Sequence, residues 1–399
     1  MLWSLAMLEP AEQALQRNVV FLMCQRAAAY LPLWRERAAV AEKNRRLSSS
    51  TFDELFTEGW LDLVSPRAPV TRTGHWPTLV ESARIAARAC ASTGWMLALV
   101  GGHGSIARRL PPSCVDQLYR HGPRQLFASA STSTDSLLSF EPEGVRVDGR
   151  WRFSSGIEDA TWLMLNAPCA DHPEAACTPR FLVLVAANEV ERLHSWDSCG
   201  MAATGSHDVL LRRLLVPHDR VFALHEVFAQ DPLALACDYI DRLPLVPYLT
   251  TSIIGPLLGC AEGALAAFVA AFNSSSAVSD PRIAEQAAHS AAQLYSVELL
   301  YDSLISRLHE AGLSDRVLDA AQLLQLTRDR AYLAQQCVQA VQRLVERLGA
   351  SSLVASNPLQ RHWRDIQAMA AHRDVAWNET MQACGDAILR PATDNAQKN

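Results

Sequence analysis

The spacing of apolar positions changes period twice along this chain. Residues 1 to about 125 carry helix-compatible spacing on Ala-rich faces, with segments at Gln13 to Asn44, Ser50 to Glu58 and Thr78 to Val100. Asp53 to Leu63, followed by Ser65-Pro66-Arg67, reads as a short helix closed by a loop. From about 126 to 225 the pattern shortens to strands separated by turn residues: FASAS, GVRVDGRWRFSSG, WLMLNAPCA, RFLVLVAA, VERLHSW and DVLLRRLLVP. Beyond 226 the helical period returns. Ala334, Val338, Val341, Val345 and Leu348 step by fours and threes along one face, as in a bundle helix. Asn357-Pro358 breaks the run, a last helix is expected from about Leu359 to Leu389, and the tail after Arg390 is expected to fray. The expected organisation is mainly α within an α+β class. It comprises a helical domain (1–125), a central β domain (126–225) and a C-terminal helical bundle (226–399).

Within the β segment, Val147 to Asn166 stands out. A Gly-Arg turn leads into a strand in which Trp151 and Phe153 alternate with Arg152 and Ser154, the period-two pattern of a half-buried strand. At the Gly156 break the backbone can approach a ligand, and Ser154 and Ser155 can present hydroxyls and amides there.

Composition narrows the class. With 49% hydrophobic and 20% charged residues the chain reads as an ordinary globular protein. A net charge of -6 argues against nucleic acid as the main partner. Ten cysteines without a CxxC suggest reduced thiols and a cytoplasmic setting. Cys169, His172 and Cys177 lie close together, but in a Pro/Ala-rich stretch that reads better as a surface loop than as a metal site, so no metal is expected. The apolar start meets Glu9 too early for a signal peptide. Residues 250–272 are the nearest thing to a membrane span; Pro256, Glu262 and several glycines favour a buried bundle helix, and no membrane partner is expected.

Motifs exclude several chemistries. No GxGxxG follows a strand, and Gly101-Gly102-His103-Gly104 lies in a helical region. P-loop, HExxH and GxSxG patterns are absent.

Four segments carry a resemblance to a known family. WRFSSG resembles the W-x-F-[SA]-S-G strand of flavin monooxygenases on the acyl-CoA dehydrogenase fold. SARIAARACASTGWMLALVGGHGSIARRLP resembles their cavity-wall helical hairpin, with its Trp and His at Trp95 and His103. SWDSCGMAATGSHDVLLRRLLVPHDRV resembles the W-x-x-x-G-M-x-x-T-G-S-x-D element ending in V-P-x-x-R. RHWRDIQAMAAH resembles the R-x-W-R-D-I segment, whose downstream His is His372 here. The similarity runs from Ala41-Glu42 to about Thr380 and is specific for the fold, moderately so for the oxygenase components of two-component monooxygenases such as 4-hydroxyphenylacetate hydroxylase.

The resemblance implies a homotetramer that takes reduced flavin (FMNH2 or FADH2) from a separate NAD(P)H:flavin reductase. With O2 it would hydroxylate an aromatic or indolic small molecule through a C4a-hydroperoxyflavin. His372, His103 and Ser154 would be catalytic, with Ser154 near the flavin N5 and one histidine titrating near neutrality. Ser129, Ser131, Trp151, Ser154, Ser155, Thr204, Ser206 and Arg282 would contact flavin, and Trp95, His103 and Ser129 substrate. Arg361, Arg364 and Asp365 read as an ion-pair network fixing the last helix. Two departures matter: AHRDVAW stands where dehydrogenases carry E-G-T or another glutamate base, and PRAPVTRTGHW replaces a Gly-Gly loop. An acyl-thioester dehydrogenase or oxidase, an N- or S-oxygenase and a flavin-free ligand-binding descendant are the alternatives.

Overall fold

The computed structural model describes residues 10–68, 75–133, 135–169, 179–231, 238–273 and 281–389. Most of the PRAPVTRTGHW loop, together with His172 and Cys177, lies outside the described residues. Helices open the chain, beginning with Pro10–Asn44 and Ser49–Thr57. The second starts at Ser48, whose hydroxyl accepts from the Thr51 N–H. The Trp34 indole N–H donates to Glu54 at 3.1 Å, joining these two helices, and Trp34 meets Trp60 of the turn that follows edge to face, centroids 5.7 Å apart.

The helix expected over Thr78 to Val100 is broken. Trp76–Ala87 ends in a turn, Cys90 is extended, and the chain resumes as Ala91–Trp95, a π-helical stretch Met96–Gly101, and Gly102–Arg108. A π-helical insertion displaces the residues beyond it around the axis and recurs at functional sites. It lies here between Trp95 and His103.

Among the described residues nine strands follow: β1 (Phe127–Ala130), β2 (Thr132–Ser133), β3 (Leu137–Glu141), β4 (Gly144–Ser154), β5 (Trp162–Pro168), β6 (Arg180–Ala186), β7 (Glu191–Arg192), β8 (His207–Val216) and β9 (Val221–Ala223). One sheet runs β1-β5-β6-β9; the other runs β2-β4-β8-β7 with β3 on β4. Val147, Trp151, Leu163, Val183, Val185 and Val209 belong to the core of this unit. Only Glu191–Arg192 of the VERLHSW segment is strand, because His194 turns to a left-handed φ of 45° and leaves the sheet.

The alternation expected in WRFSSG also fails after Trp151. The β4–β8 register shifts between Trp151 and Ser154, and Phe153 takes a left-handed φ of 63°. This bulge turns the Phe153 ring outward, half exposed, and carries Ser154 and Ser155 inward. The Phe153 N–H donates to Asp208 Oδ1 at 3.3 Å, and Arg150 pairs with the same carboxylate.

The C-terminal helices are Ile254–Asn273, Pro281–Leu313, Ala320–Leu348, Pro358–Ala370 and Trp377–Leu389. The third opens with a capping box between Asp319 and Gln322. The apolar stretch Val246–Phe272 is long and apolar enough to cross a membrane, and it is mostly buried inside the protein. Gly255, Gly259 and Gly263 face the backbone of the Trp76–Ala87 helix and its exit, and a Cβ on Gly259 would fall on the Arg84 carbonyl oxygen. Arg84 is wholly buried between Glu262 and Glu298, with its guanidinium 5.0 Å from the Tyr301 ring centroid.

The helix expected to run unbroken from Leu359 to Leu389 ends at Ala370, and a short 3-10 turn at Arg373–Val375 separates it from the next. His372 therefore does not sit two helical turns beyond Asp365 on a continuous helix. It caps the turn in extended conformation, ψ 136°.

Glycine chemistry gives the first prediction. Gly259→Ala should lower stability by about 1–3 kcal/mol through overpacking against backbone. Gly385→Ala, on a helix with nothing within 4 Å of the new methyl, should raise it by up to about 1 kcal/mol. Urea unfolding of both variants checks this, and effects of the same sign would contradict the packing account.

Candidate active site

Between the β unit and the helices lies a cavity of about 690 Å³. Trp95, His103, Ser129, Ser131, Ser155, Thr204, Ser206 and His372 all line it, so segments far apart in sequence converge there. Ser154, Trp151 and Arg282 do not. Trp151 is enclosed in the β core with its indole N–H on the Asn166 carbonyl at 3.0 Å, because the strand face it occupies is the sheet interior. Ser154 is completely buried and its hydroxyl has no hydrogen-bond partner among the described residues; the bulge puts Ser155 at the cavity in its place. Arg282 is exposed near the start of the Pro281–Leu313 helix, away from the cavity lining.

Two hydroxyl systems face the cavity. His103 Nδ1 lies 2.7 Å from the Phe127 carbonyl, which can only accept, so Nδ1 carries the proton. Nε2 must then accept from the Ser129 hydroxyl at 3.0 Å. With its proton committed to His103, Ser129 offers lone pairs to a ligand. Burial pushes His103 down to about 4, outweighing the Phe127 carbonyl that favours its charge. Of the two histidines from which one is expected to titrate near neutrality, His103 is not that one: burial keeps this imidazole neutral.

The second system is a chain. Thr204 Oγ1 donates to the Met201 carbonyl at 2.8 Å. Ser206, 2.7 Å away, therefore donates to Thr204, and Ser155 donates across 2.8 Å to Ser206. Each proton is used within the protein, leaving oxygen lone pairs for ring N–H groups of a ligand. Gly156 follows at φ 75° with its N–H on the Thr204 carbonyl at 2.8 Å, which ties the two loops together.

His372 stands on another wall, its ring 5.4 Å from that of Trp95 in an edge contact. The Asp374 N–H points at His372 Nδ1 over 3.3 Å, so the neutral ring bears its proton on Nε2 and has a donor to offer. Burial lowers its pKa from 6.5, opposed by the Asp374 carboxylate and aided by Arg373. Asp374, absent from the sequence-based candidates, also lines the cavity; its oxygens lie 3.6 Å from His372 Nδ1 and 3.5 Å from Arg373. The signal available in sequence was only its place two residues after His372.

The Arg361–Arg364–Asp365 network is also different from the expectation. Arg364 pairs with Glu42 on the first helix and donates to the Cys199 carbonyl. Asp365 instead accepts the Met201 N–H at 2.6 Å, because the helix packs against that loop.

A separate cluster of Glu158, His194 and His207 brings ligand-type atoms within 4.8 Å of one another. The Trp196 N–H donates to His207 Nδ1 at 3.0 Å, which leaves Nε2–H directed to Glu158 at 3.7 Å. That tautomer fastens the loop through the Trp196 N–H alone, with Glu158 beyond hydrogen-bond reach, and presents a proton where a metal ligand needs a lone pair.

Comparison with known proteins fits this architecture. Residues 251–377 match the family described as acyl-CoA dehydrogenase, C-terminal domain. The chain is 27% identical over 397 residues to the oxygenase component of an FADH(2)-dependent resorcinol hydroxylase from Rhizobium sp. (strain MTP-10005), covering 95% of this chain and 97% of that protein. It is 22% identical to the oxygenase component of p-hydroxyphenylacetate 3-hydroxylase from Acinetobacter baumannii, over 92% and 89% of the two chains. Among solved structures, XiaF from Streptomyces sp., in complex with FADH2 and glycerol, superposes with a TM-score of 0.84 at 22% identity, covering 94% of this chain and 97% of the other. The chain resembles the oxygenase components of flavin-dependent monooxygenases over most of its length, and its fold is that of the acyl-CoA dehydrogenases. The acceptor-lined wall of Ser155, Ser206 and Thr204 suits a reduced flavin, whose ring carries N–H donors.

The buried His103 yields a pH prediction. Its folded pKa, about 4, lies below the ordinary 6.5, so the unfolded chain takes up a proton that the native state refuses. Its contribution is complete above about pH 6.5 and fades as pH falls toward 4. His103→Gln should cost about 1–3 kcal/mol near pH 7.5 and progressively less toward about pH 4.5. Denaturant unfolding across that range checks this, and a pH-independent gap would contradict it.

Proposed function

We propose that this protein hydroxylates an aromatic or indolic small molecule, using O2 and reduced flavin supplied by a separate NAD(P)H:flavin reductase. The observation that carries the reading is the pairing, in one cavity, of an acceptor wall at Ser155–Ser206–Thr204 with the neutral donor His372. Bound reduced flavin supplies the chemistry that activates oxygen and transfers one of its atoms. The chain supplies placement, dryness and hydrogen bonds. Trp95, Leu99, Ile106, Met164 and Leu182 give the apolar lining that excludes water and receives an aromatic ring.

Ser129, with its proton held by His103, accepts from the O–H or N–H of the substrate and sets its orientation. His103 resists protonation, so it fixes Ser129 and does not collect the substrate proton. His372 donates from Nε2 to a developing oxygen charge. To act as a base it would have to release Nδ1 from the Asp374 N–H and turn a protonated Nδ1 toward the Asp374 carboxylate. The acceptor wall addresses the ring system that reduced FMN and reduced FAD share.

A thioester dehydrogenase is the competing reading. Its base would be a carboxylate on the cavity, and Asp374 is the only one among the described lining residues. That carboxylate is occupied by Arg373 and faces His372, which disfavours it as a free base.

The homotetramer is part of the proposal. It is supported by exposed Tyr295 and Leu299 on the Pro281–Leu313 helix and by Tyr332 on the next, an apolar face suited to a second copy. A cytoplasmic setting is supported by the free thiols among the described cysteines. The net charge of -6 disfavours nucleic acid.

His372 tests the reading. His372→Ala should lower hydroxylated product by roughly ten- to ten-thousand-fold and divert reduced flavin to hydrogen peroxide. His372→Gln, which keeps an N–H donor, should recover part of the loss. Coupled turnover with a reductase, measuring product and peroxide together, decides it. Normal hydroxylation by the alanine variant, or desaturation of an acyl thioester by the wild type, would overturn the assignment.

A further inference from the structure

The loop carrying Thr204 and Ser206 meets a buried carboxylate at Met201, while Arg45 and Arg364 hold the carbonyls of Trp196, Ser198 and Cys199 before it. Met201 has a left-handed φ of 54°, uncommon for a residue with a side chain. Its N–H donates to Asp365 Oδ1 at 2.6 Å, a charge-assisted bond. Its carbonyl accepts from the Thr204 N–H at 3.1 Å, from the Thr204 hydroxyl at 2.8 Å and from the Trp196 indole N–H at 3.2 Å. Asp365 thus fixes one side of the residue whose other side fixes the first hydroxyl of the chain. Gly200, just before, has the Arg364 carbonyl where a Cβ would stand, so the loop and the Pro358–Ala370 helix meet backbone to backbone.

We infer that Asp365 is a positioning residue for the flavin-side hydroxyls, acting through the left-handed turn at Met201. The inference rests on the flavin reading above and adds a residue that touches neither flavin nor substrate. Asp365 is not on the cavity lining. Its neighbour Arg364 is engaged by Glu42 and the Cys199 carbonyl, so the charge beside Asp365 is spent elsewhere. The role needs an acceptor of one length at one place. Without it, Met201 has no partner for a buried N–H, and the Thr204 hydroxyl loses the carbonyl that directs its proton. The lone-pair pattern then dissolves along Ser206 and Ser155.

The test uses the full-length protein with two substitutions. Asp365→Asn keeps an oxygen acceptor for Met201; Asp365→Ala removes it. Amide exchange of the Met201 segment, measured without flavin, should rise at least about tenfold in the alanine variant and stay within about threefold of wild type in the asparagine variant. The dissociation constant for FMNH2 or FADH2 under anaerobic conditions should follow the same order, at least about tenfold weaker for alanine. The absorbance of the bound reduced flavin should change with alanine alone. If the alanine variant does not fold, Asp365→Glu takes its place, since a longer arm misplaces the acceptor and should weaken binding likewise. Wild-type exchange in the alanine or glutamate variant overturns the inference, as does equal impairment of alanine and asparagine. A wild type that binds neither flavin refutes the cofactor reading, and exchange at Met201 then still decides whether Asp365 sets the turn.

Discussion

Gly200 lies against the Arg364 carbonyl, and the Met201 amide lies on Asp365; across this contact the β unit is fixed to the helical layer. The cavity is the space left beside that join. Its hydroxyl wall descends from Met201, its donor wall from the turn just after the Pro358–Ala370 helix, and its far wall from the π-helical stretch before His103. A helix that carried on through Ala371 would displace His372. A loop that drifted from Asp365 would scramble the hydroxyls. Two short breaks in regular structure and one close backbone contact therefore set the geometry that the chemistry requires.

The polar groups of the cavity are arranged by elimination of protons. The Phe127 carbonyl fixes the His103 tautomer, which fixes the Ser129 hydroxyl; the Met201 carbonyl fixes Thr204, then Ser206, then Ser155. Each chain starts from a backbone carbonyl, which can only accept, and ends in lone pairs at the cavity. His372 is set the opposite way by a backbone N–H and ends in a donor. In a low-dielectric pocket such assignments are held firmly, because reversing one would leave a buried group unpaired. Burial also keeps His103 neutral, so the site orients hydrogen bonds more than it stores charge.

Much of this was legible in the sequence through period and motif. The change from helical to alternating spacing and back located the strands that run from Phe127 to Ala223 between helices. WRFSSG and GMAATGS brought Ser155, Thr204 and Ser206 to notice, and the structure places all three on one wall. Periodicity could not reveal the bulge at Phe153, since the residues alternate in sequence while the backbone inserts an extra step. Ser154 was therefore placed one face wrong, whereas Trp151, before the bulge, keeps its register on the sheet interior. The break at Ala371 was hidden because Ala, Met and Gln continue a helical pattern without a proline or glycine to stop it. Asp365 looked like an ion-pair partner because arginines flank it; its true partner is a backbone amide 164 positions away in sequence, a contact that local pattern does not encode.

The central claim is that this cavity is built for reduced flavin, and an anaerobic titration of the wild-type protein tests it most directly. FMN and FAD, each oxidised and reduced, would be added and binding followed by absorbance and fluorescence. The acceptor-lined wall predicts that a reduced form binds markedly more tightly than its oxidised counterpart, because reduction adds N–H donors to the ring. Tighter binding of the oxidised form, or binding of neither, would contradict the account.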